Sequence, residues 1–296
     1  MSRTSTASSS RREPRPPAGP VPHRAEEVEA ALGRLRVTPS KGRGQSFLVD
    51  PFVADAEAAL LASPPGTPTL EIGGGLGILT EALLRRGVAP LTVVERDPAL
   101  ASFLARTFGD RAAVVTGDAR TIDLPPVQRA AGNLPYSVAT PILLRLLARR
   151  IPRIVVLLQR EVAERIAAPP GGRSYGRLSI VARLYGEPEL FRSVGPEAFW
   201  PRPEVESRLL VHTARSGPLP VPSVPRFELA VRTLFSARRK QLGNLLPRLV
   251  ASRSDAARLA ARAGWPDDWA TRRPEELAPE AFFALARALG TRPAPT

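Results

Sequence analysis

A run of four glycines lies where a short apolar segment gives way to a helical pattern. Residues 71–77 read Glu-Ile-Gly-Gly-Gly-Leu-Gly. Glycines in such a place let the backbone turn tightly and come close to a ligand at the carboxyl edge of a sheet, where α/β folds bind small molecules. A dinucleotide fingerprint, G-x-G-x-x-G, would need its third glycine where Ile78 stands. The run therefore predicts a ligand-binding turn of another kind.

Two acidic residues follow the next two apolar segments. Glu95 ends the second predicted strand, where a carboxylate can accept hydrogen bonds from both ribose hydroxyls of a nucleoside. Asp118 follows the third, where it can accept from the amine of an adenine. Taken singly, each is as well explained by capping of a helix or loop. Together with the spacing Glu-x-Gly-x-Gly-x-Gly, which is typical of S-adenosylmethionine-dependent methyltransferases, they predict a site for S-adenosylmethionine.

The tetrapeptide Asn133-Leu134-Pro135-Tyr136 ends the fourth predicted strand and indicates the methyl acceptor. An aromatic amine is a poor nucleophile because its lone pair is delocalised into the ring. The side-chain oxygen of Asn133 and the carbonyl oxygen of Leu134 can accept from an adenine N6 amine and direct its lone pair at a methyl donor. Pro135 stiffens that carbonyl, and Tyr136 offers a ring face to an extruded base.

Alternating strands and helices are needed to bring these motifs together, and the sequence predicts them. Helices are expected over 51–62, from the glycine turn to Arg86, and over 98–108 and 138–149. Strands are expected between them, at 69–72, 91–95, 112–116, entering Asn133, and at 153–159. This alternation predicts an α/β fold, a Rossmann-like methyltransferase sheet that is doubly wound and parallel, with a small C-terminal helical domain.

Composition divides the chain into four segments. Residues 1–24 are rich in Ser, Thr, Arg and Pro, which predicts a disordered basic tail. Residues 25–215 form the methyltransferase domain and begin with a short helix over 25–35. The proline-rich residues 216–225 are a linker. Residues 226–290 are predicted to form a small helical domain, with helices expected over 227–249, 254–263 and 279–289.

The charge of the chain indicates an anionic partner. It holds 42 Lys and Arg against 28 Asp and Glu, for a net charge of +14, and only Lys41 and Lys240 are lysines. Arginine grips phosphate bidentately and stacks on bases. The segment 216–296 is the most basic, with 13 positive and 7 negative charges. Because a GC-rich genome also produces arginine, alanine and proline, charge alone leaves nucleic-acid binding open.

Several classes of protein are excluded or disfavoured by composition. The absence of cysteine excludes disulfides, thiolate metal sites and a cysteine nucleophile, and two histidines leave little for a metal site, so no metal is expected. The longest strongly apolar run, 154–158, is too short to cross a bilayer. We therefore expect a cytoplasmic protein with no membrane partner.

From about Lys41 to Leu289 the chain resembles the ribosomal RNA adenine N6,N6-dimethyltransferases, in particular their housekeeping small-subunit members. Beyond the motifs above, the resemblance runs through residues 44–48, 94–97, 117–119, 140–141, 158–163, 174–179, 199–203 and 235–240. It implies that S-adenosylmethionine is the cofactor. The implied substrate is a pair of adjacent adenines in the 3′-terminal hairpin of small-subunit (16S) rRNA, within an immature ribosomal subunit, and the protein is expected to act as a monomer.

The resemblance also implies roles for individual residues. Ser46 and Leu48 would contact the methionine end of the cofactor, and Phe199 would pack on the target base opposite Tyr136, although an aromatic residue between prolines is equally explained as core. Ser46 stands where the family usually has Asn or His. The implied cofactor contacts are Ser46, Leu48, Gly73, Gly75, Glu95 (ribose), Asp118 (adenine) and Asn133 (cofactor and target amine).

A second departure is Gly74, which replaces a common Pro or Ala and is expected only to loosen the turn. The resemblance implies that the helical domain at 226–290 is RNA-contacting. It makes phosphate contacts the favoured role of Arg238, Arg239 and Lys240, which lie in a predicted helix. Arg173 and Arg177, on either side of Tyr175-Gly176, are expected on the same surface.

Three other functions remain open at this point. A macrolide-resistance methyltransferase acting on 23S rRNA shares every cofactor motif, but the C-terminal blocks favour the small-subunit reading. A ribosome-assembly factor that has lost catalysis is disfavoured by the intact Asn133, Tyr136, Glu95 and Asp118. A DNA adenine methyltransferase is less favoured, because those enzymes more often carry an acidic residue and two prolines before the tyrosine.

Overall fold

The computed structural model describes residues 21–39, 45–62 and 64–290. Most of the predicted basic tail and the loop at 41–44 lie outside these ranges. Through the first half of the chain, helices and strands alternate. The helices are α1 (Ala25–Leu35), α2 (Pro51–Ala59), α3 (Ile78–Arg85), α4 (Pro98–Phe108), α5 (Ala139–Ala148), α6 (Arg160–Ala167), α7 (Arg177–Tyr185), α8 (Val224–Phe235), α9 (Leu242–Leu245), α10 (Arg253–Arg262) and α11 (Pro279–Leu289).

The strands form one large sheet and one short ribbon. They are β1 (Phe47–Leu48), β2 (Thr69–Ile72), β3 (Leu91–Glu95), β4 (Ala113–Thr116), β5 (Arg129–Asn133), β6 (Arg153–Gln159), β7 (Gly186–Val194), β8 (Phe199–Trp200) and β9 (Ser207–Ala214). The seven-stranded sheet has the order β4-β3-β2-β5-β6-β9-β7. Its first five strands are parallel, and β9 and β7 continue it in antiparallel pairing. β1 and β8 pair antiparallel as the ribbon.

Strand order places a crevice at the centre of the sheet. β3 and β4 lie on one side of β2, whereas β5 and β6 lie on the other. The connections that follow β2 and β5 therefore leave in opposite directions at the carboxyl ends of adjacent parallel strands. Such a switch point is where open α/β sheets bind ligands. The glycine turn after β2 and the Asn133 turn after β5 both lie there.

Successive side chains of the central strands point to opposite faces of the sheet, and both faces are buried. Ile154, Val156 and Leu158 of β6 join a cluster with α5, α7 and the C-terminal helices. Val155 and Leu157 join another with α2, α3 and α4. This two-residue period is what a strand covered by helices on both sides requires. The structure thus confirms the α/β, Rossmann-like fold class.

The C-terminal helices pack directly on this core. Phe227 of α8 and Phe282 of α11 are fully buried in the same cluster as the α5 and α7 side chains. The Tyr175 hydroxyl donates to the Leu277 carbonyl at 3.0 Å, and its ring meets Phe235 edge to face. The predicted linker at 216–225 also ends early, because α8 begins at Val224, capped by Ser223. The division into domains stays a prediction.

The prediction of one helix over 227–249 was wrong. α8 ends at Phe235, and turns carry the chain to α9, which begins at Leu242. Tertiary contacts account for the break: the Arg238 guanidinium donates to the carbonyls of Gly172 and Arg173, and Leu242 is fully buried. Helix propensity alone cannot anticipate contacts of this kind.

Candidate active site

A cavity of about 290 Å³ lies at the carboxyl edge of the parallel strands. Five separate stretches of the chain form its wall. They are residues 45–48, 71–76, 94–98, 117–120 and, from the turn after β5, Asn133 and Pro135. The cavity therefore lies at the switch point, where a ligand site is expected in an open α/β sheet. The structure therefore brings together Ser46, Leu48, Gly73, Gly75, Glu95, Asp118 and Asn133, all of which the sequence assigned to one site.

The glycine turn takes a backbone conformation that other residues rarely adopt. Gly73 and Gly75 have φ angles of 78° and 55°, in the left-handed region. The Gly75 N–H donates to the Glu95 carboxylate at 3.0 Å, which ties the turn to the end of β3. A Cβ on Gly75 would lie 3.3 Å from the Phe47 ring of β1. The backbone is thus held close to the cavity between two walls.

Glu95 organises the floor of the cavity. One carboxylate oxygen accepts from the Asp97 N–H at 2.9 Å, and the other accepts from Gly75. The side chain is buried, and this burial raises the pKa of the Glu95 carboxyl despite the two backbone donors. Each oxygen keeps a further acceptor position, so the carboxyl can still receive a hydroxyl from a ligand.

Asp118 is held by two arginines at the rim. Arg120 donates to it bidentately, with its Nε 3.0 Å from Oδ1 and its terminal nitrogen 2.6 Å from Oδ2. Arg96 lies 3.8 Å from Oδ2. The Arg120 hydrogen bond holds the pKa of the Asp118 carboxyl at about 2. Asp118 is therefore ionised at neutral pH and is a strong acceptor, and both arginines line the same cavity.

The loop that carries Asp118 is braced from α5. The Arg145 guanidinium donates to the carbonyls of Ala119 and Ile122, at 2.6 Å and 2.5 Å. Nothing in the sequence pattern of α5 distinguished Arg145 from a solvent-exposed helix residue. Its role depends on a contact across 26 residues of chain, which only the fold reveals.

Gly74 does more than loosen the turn, so that prediction was wrong. A Cβ at this position would lie 2.5 Å from Cγ1 of Val93 and 2.8 Å from a methyl of Leu104. Both distances are shorter than carbon atoms tolerate. The side chains of β3 and α4 therefore occupy the space that an alanine or proline would need here.

Asn133 has a fixed side chain at the edge of the cavity. Its Nδ2 donates to the main-chain carbonyl of Ser46 at 3.2 Å. With the amide nitrogen engaged there, Oδ1 is left as the acceptor of the group. The bond uses a backbone atom of Ser46, so any residue type at position 46 could provide it.

The other three residues of the tetrapeptide lie in different environments. The Leu134 side chain is buried in the core, whereas Pro135 lines the cavity. The Pro135 carbonyl accepts from the Val138 N–H at 3.0 Å and closes the turn. The Tyr136 hydroxyl lies 2.6 Å from Oγ of Ser207 on β9, which fixes the ring, and Tyr136 is not among the residues that line the cavity.

Phe199 occupies a different environment from the one the resemblance implied. Its side chain is 2 % exposed, belongs to the core cluster that contains α2 and α3, and is not part of the cavity wall. In the β1–β8 ribbon it is the partner of Leu48, which does line the cavity. The structure thus places Phe199 in the core, where it supports the cavity wall through its pairing with Leu48.

Two carboxyls in or next to this site are buried, which nothing in the sequence indicated. Glu71, the first residue of the glycine motif, and Glu57 of α2 are both buried. Burial raises the pKa of each carboxyl to about 8. Glu71 accepts from the Thr80 hydroxyl at 2.7 Å, and Glu57 accepts from the Gly132 N–H at 3.0 Å.

The predicted RNA-contacting residues divide into two groups. Arg238 and Arg173 line one surface cavity, but Arg238 is engaged with loop carbonyls and with Glu275 at 3.7 Å. Arg239 and Lys240 are exposed in the turn after α8. Arg177 is exposed at the start of α7. Arg239 and Lys240 are therefore the members of the basic triplet whose side chains face solvent.

The described part of the chain contains neither a membrane-spanning helix nor a cluster of metal-ligating side chains. Its helices include none that is long and apolar enough to span a membrane. Within the same residues, no three His, Cys, Asp or Glu side chains are grouped so that they could hold a metal ion.

Comparison with known proteins identifies the family. The family model described as ribosomal RNA adenine dimethylase matches residues 40–262. A probable ribosomal RNA small subunit methyltransferase A from Natronomonas pharaonis is 40 % identical over 88 % of this chain and 96 % of its own. The ribosomal RNA small subunit methyltransferase A of Anaeromyxobacter dehalogenans is 39 % identical over 88 % of this chain and 97 % of its own.

Solved structures agree on the fold. A dimethyladenosine transferase from Plasmodium falciparum superposes with a TM-score of 0.69 at 22 % identity, covering 81 % of this chain and 95 % of that one. The 23S rRNA methyltransferase ErmE superposes with a TM-score of 0.65 at 24 % identity, covering 83 % of this chain and 100 % of that one. The sequence matches, which extend over most of the chain, show that this protein belongs to the ribosomal RNA adenine dimethylase family.

Proposed function

We propose that this protein transfers methyl groups from S-adenosylmethionine to N6 of two adjacent adenines in the 3′-terminal hairpin of small-subunit rRNA. Each adenine receives two methyl groups. The observation that carries the proposal is the held side chain of Asn133, whose nitrogen is engaged by Ser46 and whose oxygen remains to accept from an amine. The small-subunit assignment rests on the names of the sequence relatives.

The cavity fits a nucleoside bearing an amino-acid tail. The left-handed glycines allow close approach of the backbone, Glu95 is a ribose acceptor, and the ionised Asp118 is an acceptor for an adenine amine. Ser46 and Leu48 would border the methionine end. S-adenosylmethionine supplies an electrophilic methyl group on a sulfonium when bound.

The residues of the Asn133 turn would activate the amine by orientation. Oδ1 of Asn133 and the Leu134 carbonyl accept its two hydrogens, which draws the nitrogen toward tetrahedral geometry and exposes its lone pair. No base needs to remove a proton beforehand, because the proton is lost after the nitrogen becomes cationic. Tyr136, anchored by Ser207, offers a face on which the extruded base stacks.

The RNA partner would be engaged by the basic C-terminal part. Arg239 and Lys240 are exposed there, and Arg173 and Arg177 are exposed on the methyltransferase side. Contacts from these side chains to phosphate would hold the hairpin while the base enters the cavity. The substrate is the rRNA of an immature small subunit in the cytoplasm, and the protein acts as a monomer.

The proposal is tested by methyl transfer from labelled cofactor to immature small subunits, with Asn133→Ala beside the wild type. Loss of transfer is expected with RNA binding largely kept, because Asn133 acts on the amine and not on the phosphates. Asn244→Ala, which removes an exposed carboxamide on α9, is the matched control and should remain active. Methylation of naked 23S rRNA with no transfer to small subunits would overturn the choice of substrate.

A further inference from the structure

A carboxyl group is buried under the Asn133 turn without a charged partner in contact. Glu57 belongs to the inner face of α2, beside Val53, Ala54 and Ala58, and its side chain is 0 % exposed. Within the described residues, Oε2 has no hydrogen-bond partner. An apolar side chain of the same size would avoid the cost of burying these oxygens. Packing alone therefore does not account for a glutamate at this position.

The single hydrogen bond of this carboxyl reaches the end of β5. Oε1 accepts from the Gly132 N–H at 3.0 Å, across 75 residues of chain. Gly132 directly precedes Asn133, and its backbone passes so close to β2 that an added Cβ would lie 2.5 Å from the Ile72 carbonyl oxygen. The Glu57 bond thus acts on the backbone immediately before the residue that holds the target amine.

One segment of chain grips this strand end at two points. The Ser46 carbonyl receives the Asn133 side chain, and eleven residues later Glu57 receives the Gly132 backbone. Asp50, which caps α2 by accepting from the Phe52 N–H at 2.8 Å, fixes the direction in which the helix leaves β1. The side chain of Asn133 and the backbone just before it are therefore both held by one stretch of chain, which runs from Ser46, directly before β1, to Glu57 in α2.

We propose that Glu57 is a positioning residue for methyl transfer: by accepting the Gly132 N–H it fixes the end of β5, and so directs Oδ1 of Asn133 at the target amine. The inference rests on the proposed function for its activity readout. Small displacements at this point matter, because misplacement of a reacting group by about 1 Å can cost on the order of 100-fold in rate.

The test compares three variants of the full chain. Glu57→Gln keeps an acceptor oxygen, whereas Glu57→Met keeps the volume and helix propensity but has no oxygen. Val53→Ala is the control, since it removes buried apolar atoms from the same helix face without touching Gly132. Transfer to immature small subunits is measured as kcat and KM, cofactor affinity by titration, and the Asn133 side-chain amide by NMR.

We expect Glu57→Met to lower kcat at least about tenfold, with KM and cofactor affinity within twofold of wild type and the Asn133 amide signals shifted. Glu57→Gln should keep kcat within threefold of the wild-type value, because it retains an acceptor oxygen. Val53→Ala should lower Tm and leave kcat and the amide signals unchanged. If Glu57→Met does not fold, Glu57→Asp replaces it, because the shorter side chain withdraws the acceptor while remaining a carboxyl.

Two results would overturn the positioning role. One is a Met or Asp variant that keeps wild-type kcat and unshifted Asn133 amide signals, and the other is a Gln variant as impaired as these. Failure of the proposed function is seen separately, as a wild type that binds cofactor but does not methylate small subunits. In that case the Asn133 amide signals of the variants still decide whether Glu57 holds the strand end.

Discussion

The buried carboxyls make the stability of this protein sensitive to pH in the neutral range. Glu57 and Glu71 are both removed from water, and burial raises the pKa of each to about 8. Glu71 adds to the shift of Glu57, and Glu95 adds to that of Glu71, since like charges disfavour ionisation. A rise of pH from about 5.5 to 7.5 should therefore lower the stability of the folded protein.

The sign follows from where each proton resides. In the unfolded chain a glutamate ionises near its ordinary pKa of 4.5, whereas these two stay protonated in the folded protein until about pH 8. The folded state therefore binds more protons across this window. Stability that is fully present below the unfolded pKa is lost progressively as pH rises toward the folded pKa.

The magnitude is large for a single side chain. Each such carboxyl changes the free energy of unfolding by roughly 2 to 3 kcal/mol between pH 5.5 and 7.5, because over this range its proton is bound in the folded chain and released in the unfolded chain. Glu57→Gln removes one of them and keeps the hydrogen bond to Gly132. For a chain of 296 residues, that difference corresponds to about 4 °C in Tm.

Thermal unfolding of wild type and Glu57→Gln at the two pH values is the assay. Relative to wild type, the variant should gain about 4 °C on going from pH 5.5 to 7.5. Val53→Ala, which removes no titratable group, should be shifted equally at both. A difference between wild type and Glu57→Gln that is the same at both pH values would refute the assignment of a protonated, buried Glu57.

Two further predictions concern the base and the RNA. Tyr136→Phe should lower kcat about threefold to tenfold, an effect of about 1 kcal/mol, because it releases the ring from Ser207. Adding Ser207→Ala to this variant should lower kcat little further. Losses in single-turnover rate that add independently for the two substitutions would contradict this coupling. Replacing Arg239 and Lys240 by Ala should reduce the slope of log K for RNA binding against log salt concentration by about 1 to 2. Cofactor affinity should be unchanged. A slope in filter-binding measurements that equals the wild-type slope would show that these two residues do not contact RNA phosphates.

Much of the first half of the fold could be predicted because β2, β3 and β6 are short, mostly buried runs, and β2 and β3 lead directly into chemistry-bearing residues. The predicted strands at 69–72, 91–95 and 153–159 agree with β2, β3 and β6. The residues at their ends meet at one sheet edge for topological reasons, so the cavity wall was predictable as well.

The antiparallel strands and the side-chain supports could not be predicted in this way. β7 carries exposed residues along most of its length, which hides it from a search for apolar runs. The roles of Glu57, Arg145 and Phe199 depend on partners far along the chain. Gly74 was misjudged because the side chains that fill its space, Val93 and Leu104, come from other elements.

The ribbon of β1 and β8 has a consequence for the order in which the protein is made. β1 supplies the wall next to the glycine turn, yet its only strand partner in the described sheets is β8, at residues 199–200. During synthesis, residues 45–48 must wait for some 150 further residues to emerge before they are fixed in place. The cavity is therefore among the last parts of the methyltransferase fold to be completed, although most of its wall is translated early.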